Sequence, residues 1–369
     1  MSFLRKIFGI KDRPIQSKEA FWNWFTQHQL AFFKTVKSQH QIEAKFLNKL
    51  SYKLDQLKDG YYFLTGMYDD DTVELIFTAD GAIENIVFVE ELVAAAPALN
   101  QWRFTALKPA SDIENLAINM NGYSFSKENL YFYSNDLQEY PDEIDITVVY
   151  DDFNKKDESK IINGIHLFLD NYLGELKFAT NIDNLSFIGK EDAQQELIPI
   201  NKLEAFLTWR EAEFVEKYVG ERRDTEADEY LLIEGTLESG KVLIATINQD
   251  ALEWDRKASH PWVVDVTVQF NGDQLSGLPD DETFDALNDL EDEIQLLLKD
   301  EDGYLYIGRQ TTDGHRNIFF ACREFRKPSK VLFELQQVYA SQFAIEFNIY
   351  KDKYWQSFKK FRKEEGEED

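Results

Sequence analysis

Hydrophobic residues recur at three- and four-residue spacing in the first sixty residues of the chain. Residues 17–36 are crowded with aromatic side chains, and residues 38–57 carry an apolar stripe made of Ile42, Phe46, Leu47, Leu50, Leu54 and Leu57. This spacing places side chains on one face of an α-helix, so it predicts helices over 17–36 and 38–57. Two strand-like runs joined through three successive aspartates then predict a β-hairpin over 61–78.

The same order of elements returns near residue 200. An amphipathic pattern predicts a helix over 201–218, and two strand-like runs predict a hairpin over 230–247. The segment YYFLTGMYDDDTVELI of the first hairpin and the segment YLLIEGTLESGKVLIA of the second align without a gap. Repetition of whole elements in one order indicates a tandem duplication, with the junction between its copies near residues 190–200.

Each hairpin is followed by strands and helices that we interpret as a βαββαβ unit. In the first half the unit covers 102–181, with strands at 102–107, 130–133, 144–150 and 176–180 and helices at 111–120 and 159–173. In the second half it covers 262–350, with strands at 262–270, 304–312, 315–323 and 343–350 and helices at 281–298 and 329–339. The predicted fold class is therefore α+β: two tandem ferredoxin-like sandwiches, in domains 1–195 and 200–369, each preceded by a helix and a hairpin.

The composition is that of a globular protein with a strongly acidic surface. Hydrophobic residues make up 43% of the 369 residues, and 68 acidic against 40 basic residues give a formal charge of −28. Nucleic acids are bound through Lys and Arg side chains that neutralise phosphates, so this charge argues against a nucleic-acid partner and against anionic membrane surfaces. It favours a basic protein as the partner.

The sequence predicts neither a membrane-spanning nor a secreted protein. No run approaches 18 apolar residues, and charges in residues 1–11 interrupt the apolar core that a signal peptide needs. We interpret that segment as a terminal tail, with membrane contact as the alternative. The single cysteine, Cys322, excludes intramolecular disulfides and suits a reducing compartment, so the predicted location is cytoplasmic.

Candidate chemistry concentrates in the segment YLYIGRQTTDGHRNIFF. Its Asp313-Gly314 pair between alternating runs predicts a type I′ hairpin turn, because both central residues of that turn have positive φ. The resulting register places Arg309 and Arg316 on the core side of the sheet, near the acid-rich helix predicted at 281–298. We prefer the interpretation that the two arginines bridge helix and sheet. The alternative is that they grip a phosphate or carboxylate, with His315 beside them.

Strict alternation along these strands predicts two faces of different character. The core face carries Leu305, Ile307, Ile318, Phe320 and Cys322, and the other face carries Tyr304, Tyr306, Gln310, Asn317, Phe319 and Arg323. Exposed aromatics on such a sheet are how RNA-recognition modules stack bases, but this sequence lacks the basic flank of those modules. We therefore expect the second face to be covered, by the hairpin 230–247 or by the other domain.

The predicted helix at 281–298 is a second candidate surface. Five of its acidic residues are candidates for contact with a basic partner: Asp281, Asp285, Asp289, Asp292 and Glu293. Neither catalysis nor a metal nor a cofactor is predicted, because the five histidines lack paired spacing and the acid clusters at 69–71 and 151–152 lack the EF-hand spacing. Cys322 alternates with core residues, so we interpret it as a buried hydrophobe.

Short motifs in the second half carry a resemblance to a known family. They are HPW at 260–262, GLP at 277–279, LED at 290–292, GR at 308–309 and DGHR at 313–316. With these motifs, residues 205–369 resemble an uncharacterised bacterial family called domain of unknown function 695, which is similar in fold to RraB, an acidic ferredoxin-like regulator of ribonuclease E. The first half resembles uncharacterised companion regions in proteins of Bacteroidetes type. The resemblance implies an α+β fold and transfers neither an activity nor functional residues, since fold does not fix function.

Two functions from different classes remain open at this point. The preferred hypothesis is a non-enzymatic, cytoplasmic protein-binding or regulatory module whose acidic surface engages a basic protein, such as a ribonuclease or a toxin nuclease that it neutralises as an immunity protein. The alternative is an enzyme or small-anion sensor with a site around Arg309, His315 and Arg316. The sequence does not predict the oligomeric state.

Overall fold

The computed structural model describes residues 14–362, so the predicted terminal tail at 1–11 lies outside the described residues. Contacts between residues divide the chain into two compact units. Among the described residues, the first unit comprises 14–111 together with Leu173–Leu176, and the second comprises Asp112–Tyr172 and 177–362. This division differs from the junction near 190–200 that the repeat pattern predicts.

The first unit packs an aromatic helix on a three-stranded sheet. Its elements are α1 (Lys18–Ser38), a π-helical turn (Glu43–Leu47), α2 (Asn48–Asp55), β1 (Tyr62–Met67), β2 (Val73–Thr78), α3 (Ile83–Ala94) and β3 (Trp102–Ala106). The sheet order is β1-β2-β3, with β1 antiparallel and β3 parallel to β2. α1 begins after Ser17, whose hydroxyl accepts a hydrogen bond from the Ala20 amide. The aromatic residues Phe21, Phe25 and Phe32 of α1 are buried in the core of this unit.

The middle of the chain forms a four-stranded sheet and a separate hairpin. Its elements are β4 (Ala117–Met120), β5 (Tyr123–Ser126), β6 (Leu130–Asn135), β7 (Asp145–Tyr150), α4 (Glu158–Leu173), α5 (Glu175–Asn181), β8 (Asn184–Gly189) and β9 (Ile198–Pro199). β4 pairs with β5, and the other strands lie in the order β8-β7-β6-β9. β7 and β8 are parallel and α4 lies between them in the chain, whereas the remaining pairs are antiparallel.

The second half of the chain forms a six-stranded antiparallel sheet. Its elements are α6 (Leu203–Tyr218), β10 (Tyr230–Thr236), β11 (Val242–Asn248), α7 (Gln249–Glu253), β12 (Trp262–Gln269), α8 (Asp281–Leu297), β13 (Tyr304–Thr312), β14 (His315–Cys322), α9 (Arg326–Val338), β15 (Ala344–Lys351) and a 3-10 helix (Gln356–Phe361). The strand order is β10-β11-β13-β14-β12-β15. The four strands of the predicted βαββαβ segment are therefore neighbours, and the hairpin β10–β11 extends their sheet beyond β13. The predicted α+β class is confirmed.

The first half does not form the predicted βαββαβ unit, because β3 pairs with β2 while β6 and β7 lie in another sheet. The tandem ferredoxin-like arrangement is therefore not confirmed. The helix predicted at 111–120 is wrong, since that segment contains β4, and Asn121-Gly122 with positive φ at both residues turns the chain into β5. The strand predicted at 176–180 is also wrong, because α5 occupies it and the strand β8 follows.

The two faces of the large sheet are covered by different elements. On one face α8 and α9 contact each other, and α8 accepts hydrogen bonds from side chains of β13 and β14. The other face carries an apolar cluster that is closed by α7 and by the C-terminal residues Trp355, Phe358 and Phe361. This second face is covered as expected, but the hairpin 230–247 is not what covers it, since its strands lengthen the sheet sideways.

Candidate functional site

The helix α8 places one carboxylate against the sheet. Its N-terminus is capped by the side chain of Asp280, and its apolar stripe of Leu287, Leu290 and Ile294 is buried. Glu291 lies within that stripe, and only 4% of its side chain is exposed. Burial of a carboxylate is costly unless the group is paired and hydrogen-bonded. The position of Glu291 therefore requires cationic or donor groups on the facing strands.

The β13–β14 hairpin supplies those groups, and its turn has the predicted form. Asp313 has φ 44° and Gly314 has φ 76°, as a type I′ turn requires. The register pairs Thr311 with Arg316, which confirms the predicted placement of this arginine on the core side. The loop before α8 packs on the turn, because the Gly314 amide donates a hydrogen bond to the Gly277 carbonyl at 2.9 Å.

A β-bulge in β13 changes which residues share a face. The register shifts between Tyr306 and Gly308, so Tyr306 lies opposite Phe320 while Gly308 lies opposite Phe319. Gly308 has φ 144°, and a Cβ built on it would lie 2.2 Å from the carbonyl oxygen of Thr246 in β11. The prediction that strict alternation sets the faces is therefore wrong for the start of β13. Tyr306 lies on the α8 side, together with the arginines.

Three side chains of β13 and β14 converge on Glu291 and on Asn288, which lies one helical turn before it in α8. Tyr306 donates to Oε1 of Glu291 at 2.5 Å, and Nη1 of Arg309 donates to Oε2 at 3.1 Å. Nη1 of Arg316 donates to the same Oε2 at 3.3 Å. Both Nη1 atoms also donate to Oδ1 of Asn288, at 3.0 Å from Arg309 and 2.8 Å from Arg316. Two guanidinium groups therefore share one oxygen of one carboxylate.

Part of each guanidinium group is left without a protein acceptor. The Nε atom of Arg316 donates to the Thr311 hydroxyl at 3.2 Å. Within residues 14–362, Nη2 of Arg316 and both Nε and Nη2 of Arg309 make no hydrogen bond. The side chain of Arg309 is 28% exposed and that of Arg316 is 1% exposed. Arg309 therefore combines unpaired donors with a partly exposed side chain.

Burial shifts the pKa values of Arg316 and Tyr306 in this cluster around Glu291. It lowers the pKa of Arg316 to about 10; the charge of Glu291 opposes this effect and the charge of Arg309 adds to it. Burial, reinforced by the charge of Glu291, raises the pKa of the Tyr306 hydroxyl. At neutral pH Arg316 therefore remains a cation and Tyr306 remains a neutral donor. The group contains one more cation than anion, since Glu291 is its only carboxylate among the described residues.

A cleft of about 500 Å³ opens above the two arginines. Its sheet side consists of Leu232, Glu234, Ile244, Thr246, Arg309, Thr311 and Arg316, and its helix side consists of Leu278, Pro279, Asp281 and Phe284. Leu232 and Phe284 are large apolar side chains that remain 59% and 42% exposed at the cleft. Most of the wall is apolar, and the arginines supply cationic donors at one end, a combination typical of small-molecule sites.

Residues 236–361 match a protein family described as a family of unknown function (DUF695). The DUF695 match includes β11 to β15 and therefore every cleft residue except Leu232 and Glu234. It supports the resemblance stated for the second half, whereas the similarity to RraB and that of the first half are not confirmed. No curated protein and no solved structure matches the chain. Across residues 14–362, no helix has both the length and the apolar character needed to cross a bilayer.

The structure brings together two of the three residues predicted for the anion site. Arg309 and Arg316 meet at Glu291, but His315 lies apart from them. Its Nδ1 atom is hydrogen-bonded to the Asp313 carbonyl at 2.9 Å, and strand alternation directs its side chain to the face opposite that of Arg316. Of the five acidic candidates on α8, four are exposed: Asp281, Asp285, Asp289 and Asp292. The fifth, Glu293, accepts a hydrogen bond from the Tyr339 hydroxyl at 2.7 Å.

Sequence reasoning did not single out Glu291, Asn288 or Tyr306 as site residues. A signal for Glu291 is present in the spacing, because it follows Leu287 by four residues and precedes Ile294 by three. That position lies inside the apolar stripe of the helix, where a carboxylate needs a partner. Tyr306 gave no such signal, since its face depends on the bulge at Gly308.

Proposed function

We propose that this protein is a non-enzymatic binding protein whose cleft beside α8 binds a small organic anion through Arg309 and Arg316. One observation carries the proposal: two guanidinium groups share a single oxygen of Glu291. Buried charges are normally matched by partners of opposite sign. The unmatched cation at the end of an apolar cleft is the feature that an anionic ligand would neutralise.

The geometry of Arg309 supports a carboxylate as the anionic group. Its Nε and Nη2 atoms form one edge of the guanidinium plane, and carboxylates bind such an edge through two parallel hydrogen bonds. Each charge-assisted bond contributes about 1.5–3 kcal/mol when its groups are shielded from water. The apolar walls favour a ligand with a hydrocarbon body, at about 25 cal/mol for each Å² of apolar surface that the ligand buries.

The test is titration of the full chain with the straight-chain carboxylates butyrate, hexanoate and octanoate, followed by calorimetry and by the Nε–H signals of arginine in NMR spectra. We expect saturable binding that tightens with chain length, and a shift of the Arg309 Nε–H signal. The variant Arg309→Gln should lose at least about tenfold in affinity, equivalent to about 1.4 kcal/mol.

The matched control for this test is Arg222→Gln, which removes one positive charge from an exposed residue that hydrogen-bonds only the Glu221 carbonyl in the described part of the chain. Its affinity for octanoate should equal that of the wild type. If none of the three carboxylates binds the wild-type protein, or if both variants bind them equally, the proposal fails.

A second candidate function is supported by the exposed side of α8. Asp281, Asp285, Asp289 and Asp292 form no salt bridge with any residue in 14–362, so their charges are available to a basic protein such as a nuclease. Regulation of the kind that RraB exerts enters here only as an analogy. Electrostatic association of this type is strong at low salt and weakens as salt screens the charges.

The acidic surface is tested by pull-down from the native host at low and at high salt. The variant Asp285→Asn/Asp289→Asn should lose a partner that the wild type retains at low salt. Asp70→Asn/Asp71→Asn has the same change of charge on a loop of the first unit, and it should retain the partner. Equal recovery with both double variants would contradict a role for α8.

A further inference from the structure

We propose that the ligand of the cleft is a zwitterion, with its carboxylate at Arg309 and Arg316 and its ammonium group at Glu234 and Asp281. This inference rests on the proposed function and deepens it. The two acidic side chains line the same cleft as the two arginines. Neither carboxylate forms a salt bridge or a hydrogen bond with another residue in the described ranges of the chain, so both remain available to a cationic group.

The strand register places the acidic and basic groups at opposite ends of one row. Glu234 on β10 lies opposite Ile244 on β11, and Ile244 lies opposite Thr311 on β13. Thr311 in turn lies opposite Arg316 on β14. Neighbouring strands are about 4.8 Å apart, so Glu234 is separated from β13 by about 10 Å across the sheet. The apolar side chain of Ile244 lies between the two ends.

Helix α8 also carries an acidic residue of the cleft at a distance from the residue that contacts the arginines. Asp281 precedes Asn288, which hydrogen-bonds both arginines, by seven residues along α8. Seven residues span about 10 Å of helix axis. Phe284 lies between these two positions and lines the cleft. On the sheet and on the helix alike, an acidic residue of the cleft therefore lies on the order of 10 Å from a position that contacts or carries the arginines.

This distribution of charge selects among anionic ligands. A polyphosphate would place several negative charges near Glu234 and Asp281, and like charges repel. A simple fatty acid would satisfy the arginines but would leave both acids without a partner. A ligand with an ammonium group about 10 Å from its carboxylate satisfies both ends, and a peptide of three residues has this length at about 3.3–3.6 Å per residue. An ω-amino acid with a long hydrocarbon chain has the same chemistry.

The test compares ligands that differ in one end group, titrated into the full chain. The probes are octanoate, 8-aminooctanoate, the tripeptide Ala-Leu-Ala with free termini, and the same tripeptide with an acetylated amino terminus. We expect 8-aminooctanoate to bind about fivefold more tightly than octanoate, the scale of a partly exposed ion pair. Acetylation of its amino terminus should lower the affinity of the protein for the tripeptide by a similar factor. Tighter binding of the free tripeptide than of 8-aminooctanoate would identify a peptide as the ligand. Tighter binding of 8-aminooctanoate would identify an ω-amino acid.

The double variant Glu234→Gln/Asp281→Asn should abolish the preference for the amine while octanoate still binds. The matched control is Asp285→Asn/Asp289→Asn, which removes the same charge from acids that do not line the cleft. If wild-type protein binds octanoate as tightly as 8-aminooctanoate, the zwitterion inference is wrong and the anion site stands. If no carboxylate binds, both proposals fail.

Discussion

Replacing Glu291 by glutamine removes the carboxylate that Arg309 and Arg316 share and leaves the shape of the side chain almost unchanged. The Glu291 side chain is 4% exposed and that of Arg316 is 1% exposed, so little water reaches Arg316 to replace the lost interaction. Removal of one partner from a buried ion pair costs about 3–5 kcal/mol. Arg309 is 28% exposed and is partly screened by solvent, so we expect Glu291→Gln to lower the free energy of unfolding by about 2–4 kcal/mol.

The measurement must report on the second compact unit alone, because a chain with two units does not guarantee a single unfolding transition. Protection of the β13 and β14 amides from hydrogen exchange, followed through a urea series, gives this local free energy. The matched control is Asp289→Asn, an exposed position on the same helix, which should change stability by less than about 0.5 kcal/mol.

The same variant has a second expected effect, on binding. Without the carboxylate of Glu291, both guanidinium groups are unmatched, so octanoate should bind Glu291→Gln more tightly than it binds the wild type. A loss of stability below about 1 kcal/mol would show that the arginines do not depend on Glu291. Weaker octanoate binding by a variant that remains folded would show that Glu291 helps to bind the anion, which contradicts our account of the charges.

Three further predictions address the bulge, the turn and a buried histidine. Gly308→Ala should destabilise the protein by at least about 2 kcal/mol in urea melts, because its Cβ would meet Thr246, whereas Gly235→Ala, which meets nothing within 4 Å, should be near neutral. Gly314→Val should lower the free energy of unfolding by about 1–3 kcal/mol, because φ is positive at this residue. His315→Ala should lower it by less than about 0.5 kcal/mol, and Arg309→Ala should lower it by an intermediate amount. Burial lowers the pKa of His260 from 6.5 to about 4. The unfolded chain therefore takes up the proton first, and stability should fall by about 2 kcal/mol from pH 8 to pH 5 in the wild type relative to His260→Asn.

The second half of the chain could be predicted from local signals. The stripe in α8 has helical spacing, and Asp313-Gly314 specifies its turn through backbone conformation alone. Both signals act over a few residues, so neither depends on distant parts of the chain. The placement of Arg316 on the core side followed from the turn, because a two-residue loop fixes the register of both strands.

The first half was predicted less well, because its sheets are set by contacts between distant segments. β3 pairs with β2 in parallel across α3, and nothing in the sequence of β3 distinguishes this partner from β6 or β7. Helix α3 was not predicted either, because its segment IENIVFVEELVA is apolar around most of its circumference and shows no clear stripe. The hairpin at Asn121-Gly122 is different, because its turn signal is as strong as that of Asp313-Gly314 and is local in the sequence.

The bulge at Gly308 explains why the candidate site could be only half predicted. Tyr306 and Arg309 are three residues apart, and in a regular strand that spacing puts their side chains on opposite faces. The extra residue of the bulge brings both to the α8 side, where they reach the two oxygens of Glu291. A glycine inside a strand is a sequence signal for such a bulge or for close approach of another backbone. Here both apply, since β11 passes so near Gly308 that any side chain would collide with the Thr246 carbonyl. The glycine thus marks the position of the bulge in the sequence. Which face Tyr306 then occupies depends on the packing of β11, a strand about sixty residues away in the chain.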